Sequence, residues 1–111
     1  MMTQELKDKI IEIFQRWDSF KNSRISIKVA ISTNKDNFDR HFTSFSKIEF
    51  VMKEFGVRFS GNRAMFMGEK QSYEIGGDHI IRISKTVERE FEILEKYSEK
   101  VFRRSVIKFL D

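Results

Sequence analysis

Thr86–Leu110 reads TVEREFEILEKYSEKVFRRSVIKFL, and whether it is helix or strand decides the architecture of the chain. Apolar residues recur at Val87, Phe91, Leu94, Val101, Phe102, Ile107 or Val106, and Phe109 or Leu110, near the i, i+3/i+4 spacing of an amphipathic helix. Glu88 and Glu90 stand at the start and Arg103, Arg104 and Lys108 near the end, the charge order a helix dipole favours. Glu92–Lys96 and Glu99–Arg103 add i,i+4 ion pairs. Together these signals predict a long C-terminal helix. At 1.5 Å per residue it would run about 37 Å, against a radius of gyration of about 13 Å for a domain of this size. Its apolar far end would overrun the sheet and need a cover. A second copy of the chain is the simplest one, so Phe102, Val106, Phe109 and Leu110 are expected in a homodimer interface.

At the other end, Thr3 to about Lys21 predicts a surface helix. Leu6, Ile10, Ile13, Phe14 and Trp17 mark one face, Thr3 is the N-cap, and the opposite face is polar. Arg24–Ser32 alternates without a fault: Ile25, Ile27, Val29 and Ile31 point one way and Arg24, Ser26, Lys28, Ala30 and Ser32 the other. That is a strand with one wet face. Thr33–Asn37 is a turn.

The next segment predicts a second helix ending at Gly56. It starts either at Asp36 or Asn37, with Phe38, Phe42, Phe45, Ile48, Met52 and Phe55 inward, or later at the capping-box sequence Ser46–Glu49. From Val57 to Ser84, short apolar runs alternate with Gly-bearing turns, the pattern of a meander of three or four strands. The expected fold is α+β: a four- to five-stranded, mainly antiparallel sheet with three helices packed mainly on one face, in the order α-β-α-β-β-β-(β)-α. One domain covers 1–111.

Composition narrows the function classes. Twelve of the 111 residues are Phe, seven of them between Phe38 and Phe66, and there is no Cys or Pro. Without Cys there is neither a disulfide framework nor thiolate chemistry. No uncharged apolar run approaches the roughly 18 residues of a transmembrane helix, and the N-terminal stretch is charged, so the chain reads as soluble and cytoplasmic. Charged residues make up 34% of the chain with a net charge of only +4, which argues against a basic tail. Phe14, Phe38, Phe42, Phe45, Phe55, Phe59 and Phe91 fit buried stripes, while Phe50 lies off them.

Motifs for catalysis are missing. His41 and His79 are the only histidines, and neither has carboxylate or Cys partners at metal-ligand spacing. No Ser or Thr has a base at a recognisable spacing, and there is no GxGxxG. No cofactor or metal is expected, and the reading leans away from an enzyme.

The surface with functional content is the wet face of the expected sheet. Strict alternation places Arg24, Lys28, Arg58, Arg63 and Arg82 there against Glu74 alone, with Met65, Met67 and Ile80 as an apolar centre. Such a face suits an acidic protein surface or a phosphate backbone. The primary expectation is a small regulator or inhibitor docking on a larger protein or nucleoprotein. A nucleic-acid binder contacting the phosphate backbone is the alternative, and a small metal-independent ribonuclease using His79, Arg82, Tyr73 and Arg63 ranks last.

Overall fold

The computed structural model describes residues 3–33, 44–58 and 63–110, with Arg58 as backbone only. The chain opens with one helix, α1 (Gln4–Asp18), and continues in eight strands: β1 (Arg24–Ser32), β2 (Ser44–Val51), β3 (Glu54–Arg58), β4 (Arg63–Met67), β5 (Ser72–Gly76), β6 (Ile80–Val87), β7 (Glu90–Ser98) and β8 (Val101–Phe109). They form two antiparallel sheets, of order β2-β1-β8-β7-β6 and β3-β4-β5. The three-helix α+β expectation is therefore overturned: the described chain is mostly sheet.

The N-terminal expectations hold. Thr3 caps α1, its hydroxyl accepting from the Leu6 amide at 3.1 Å. Ile10, Ile13, Phe14 and Trp17 are buried, and β1 has the bounds the alternation predicts. Asn22, at φ 71°, makes the left-handed turn between them, a conformation its short polar side chain tolerates.

The expected C-terminal helix is instead the end of β6, then β7 and β8, joined by tight turns. Its apolar residues serve two periods at once. Phe91, Ile93, Ile107 and Phe109 are buried on the inner face, and the intervening Glu92, Val106 and Lys108 face outward. Ser105 is paired with Val29 and Ile107 with Ile27 on β1, so the hairpin builds onto β1 and supplies β8, the central strand of the sheet. Aromatic and β-branched residues fit this pleated surface. Arg89 turns the first hairpin at φ 66°, anchored by its guanidinium on the Phe109 carbonyl (3.0 Å) and over the Phe20 ring (4.6 Å).

The expected second helix is overturned in the same way where it is described. Residues 44–51 form β2, with Ile48 and Phe50 inward and Phe45, Lys47 and Glu49 outward. Gly56 lies inside β3 rather than past a helix end. Phe50, expected off-stripe, is buried, whereas Phe45, expected inward, is 56% exposed. Phe38, Phe42, Phe59 and His41 lie outside the described residues. Of the expected meander, β3-β4-β5 stands as one, and β6 crosses to the larger sheet. A bulge between Ile80 and Arg82 changes the parity of β6, so Ile80 is buried and Ile81 exposed, the reverse of strict alternation.

One core joins α1 to the inner faces of both sheets. Trp17 is fully buried at its centre, with ring centroids of Phe14, Phe66, Phe91 and Phe55 at 5.2, 5.1, 5.6 and 6.0 Å. Among the described residues its indole N–H has no hydrogen-bond acceptor. The Phe55 and Phe91 rings stand nearly perpendicular to the indole, both at 85°.

Candidate functional site

Two polar constellations stand out, one inside and one outside. The inner one centres on Glu95, a fully buried carboxylate on β7. Arg103 faces it from β8, donating Nε to its Oε1 at 2.9 Å and holding Nη2 in ion-pair contact with the same oxygen at 2.7 Å. The Gly76 amide (3.0 Å) and the Tyr97 hydroxyl both donate to Oε2. Arg103 also donates to the Glu74 carbonyl at 2.7 Å, and the Tyr73 hydroxyl pairs with Ser105 Oγ at 2.6 Å. His79 lies against the Tyr97 ring with centroids 4.5 Å apart. Gly76 lets the His79 ring lie close, since a Cβ there would stand 2.7 Å from it and the ring would have to shift.

Every one of these bonds except Tyr97–Glu95 and Glu95–Arg103 crosses from β5 to β7 or β8. The cluster fastens the edge of the small sheet to the inner face of the large one. Burial raises the Tyr73 phenol above its ordinary range; burial and the Glu95 carboxylate raise Tyr97 further. Burial would lower Arg103, but Tyr73, Glu95 and Tyr97 hold it above the ordinary guanidinium value. Glu95 accepts hydrogen bonds from Arg103, Gly76 and Tyr97 and is fully buried, so the geometry is that of a structural tie.

The outer constellation covers the face of the five-stranded sheet turned away from the core. Register puts Arg24, Lys28, Lys47, Arg82, Lys96, Arg104 and Lys108 on it, against Glu49, Glu90 and Glu92: seven cations to three anions. The excess equals the chain's entire formal charge of +4. Lys28 and Lys47 are directly opposite one another on adjacent strands. Lys47 is paired with Glu49 at 2.9 Å, which holds the Glu49 carboxyl below the usual range. Beside them a groove of about 450 Å³ is lined by Lys28, Ala30, Phe45, Lys47, Arg104 and Val106.

The expected basic set is divided by the structure. Arg24, Lys28 and Arg82 lie on this outer face. Arg63, Met65 and Met67 share the outer face of the three-stranded sheet with Glu74, to which Arg63 is paired at 3.3 Å, and Arg58 sits opposite Arg63 on β3. Ile80, expected among them, is in the core. The four residues of the ribonuclease reading do not converge: Tyr73 points into the core, Arg82 and Arg63 stand on different sheets, and His79 packs on Tyr97. The helix that called for a dimer is a hairpin, and Phe102 and Phe109 are buried within this chain; Leu110 is exposed and Val106 half-buried.

Sequence reasoning missed Glu95, Tyr97 and Ser105 inside, and Phe45, Lys47, Arg104 and Lys108 outside. A hairpin centred on Glu99-Lys100 sets Glu95 opposite Arg104 by counting alone; the register shift between Lys96 and Ser98 moves it opposite Arg103, and the sequence carries no mark of that shift. Among the described residues no cluster of His, Cys, Asp or Glu could hold a metal ion, and no helix is long and apolar enough to cross a membrane. The fold and this outer face define a mostly-β domain with a basic sheet surface. No protein-family model, curated protein or solved structure matches the chain.

Proposed function

We propose that this chain is a non-enzymatic interaction protein, a regulator or inhibitor acting in the cytoplasm. It docks on a larger protein or nucleoprotein through the basic outer face of the five-stranded sheet. The observation supporting this reading is the Lys28–Lys47 pair on the β1–β2 side of that face. Like charges directly opposite on neighbouring strands destabilise a sheet. A chain that keeps such a pair, within a face holding its whole charge excess, gains from it when an anionic partner arrives.

A second reading, a nucleic-acid binder contacting the phosphate backbone, is favoured by Phe45, an exposed aromatic on the same face. Paired affinity capture from the native cell, with both protein and nucleic-acid detection, tests the docking face. Wild type and Arg63→Glu, altered on the other sheet, should retain the partner, and Lys28→Glu/Lys108→Glu should lose it. Equal retention by all three would remove the outer face from the function.

A further inference from the structure

We infer that the groove beside Phe45 is a stacking site for a base of single-stranded nucleic acid, with Lys28 and Lys47 taking its phosphates. This rests on reading the outer face as the docking surface and names its ligand. Phe45 is directly opposite Ala30, so the position next to the ring carries a single-carbon side chain. With Val106, Ala30 forms the apolar floor of the groove of about 450 Å³. That volume falls within the roughly 300–1,000 Å³ of clefts that hold small ligands.

Phe45 is 56% exposed, on a strand whose Ile48 and Phe50 face the core while Val51 faces outward with it. A largely exposed aromatic at the rim of an apolar groove can accept the flat face of a base, and every base has one. The Lys47–Lys28 row lies two residues along the strands from the Phe45–Ala30 row. That is about 6.7 Å, within a lysine's reach of the phosphates flanking a stacked base. Lys28 makes no ion pair or hydrogen bond among the described residues, so it meets a phosphate without breaking a contact.

A duplex does not fit this site, because its base faces are already stacked on one another. An acidic protein surface would satisfy the lysines but give the Phe45 ring no stacking partner.

The test is fluorescence anisotropy of the full chain with labelled single-stranded oligouridylate about ten nucleotides long. A duplex of equal length and a polyglutamate peptide are run beside it, at low and moderate salt. The single strand should bind most tightly, and more weakly as salt rises. Phe45→Ala should weaken it by about five- to a hundred-fold, Phe45→Trp should keep it, and Lys28→Glu should reduce it. Circular dichroism melts confirm that each variant is folded.

If Phe45→Ala leaves the affinity unchanged while Lys28→Glu lowers it, the stacking site is overturned and the docking face survives. If only polyglutamate binds, dependent on Lys28, the ligand is an acidic protein and the inference is overturned. If nothing binds, or Lys28→Glu changes nothing, the docking face falls with it.

Discussion

Glu95 and Arg103 face each other across the β7–β8 hairpin, and two guanidinium nitrogens reach one carboxylate oxygen, at 2.9 and 2.7 Å. Among the described residues this is the one ion pair with a fully buried partner. Its value lies in what removal would leave behind. Arg103→Leu strands a buried carboxylate and is expected to cost about 3–5 kcal/mol, whereas Glu95→Leu/Arg103→Leu together should cost less. Urea denaturation of the two variants checks the order; a double variant weaker than the single one would mean that the pair is a net stabiliser.

The same cluster sets a limit at alkaline pH. Tyr97, by burial and by the Glu95 carboxylate, and Tyr73, by burial, hold their protons above the ordinary 10.0. The unfolded chain releases these protons first. Their contribution is complete below about pH 10 and is lost as pH rises past it. Stability measured from pH 8 to 11 should fall at the upper end, and Tyr97→Phe should flatten that fall.

The Lys28–Lys47 pair predicts a trade between stability and binding. Lys28→Gln should stabilise the free protein by about 0.2–1 kcal/mol at low salt, and the gain should shrink as salt screens the exposed charges. Thermal melts across a salt series read this directly. A loss of stability at low salt would show that the lysines do not repel.

The two Phe residues of β2 test its register. Phe50→Ala should cost about 3–5 kcal/mol because Phe50 is in the core, whereas Phe45→Ala should change stability by no more than about 0.5 kcal/mol because its ring is in water. Equal costs would contradict a strand whose alternate residues face opposite sides.

Much of the local structure was legible. Thr3 as the N-cap, the buried stripe of α1 and the alternation of β1 are each settled by near neighbours in the sequence. The parity of Arg63–Met67 can be read either way from the sequence, and the register of β4 turns Arg63, Met65 and Met67 outward. A basic sheet face was also expected. Its membership was only partly right, since the meander was assigned to a single sheet and the sequence does not mark where the chain leaves one sheet for another at Met52-Lys53.

By itself, the sequence determined one amphipathic helix, one half-buried strand, an aromatic core and a small positive excess. Tertiary structure decided the rest. Residues 44–51 and 86–110 carry apolar residues that satisfy a period of two as well as one near 3.6, so local spacing cannot choose between strand and helix. The choice falls to the strand because β1 offers Ile25 and Ile27 opposite Phe109 and Ile107 on one side and Phe50 and Ile48 on the other. A strand's stability comes from such cross-strand neighbours, which lie far away in sequence. The same pairing turned Arg103 inward to Glu95 and left Phe45, Lys28 and Lys47 together in water.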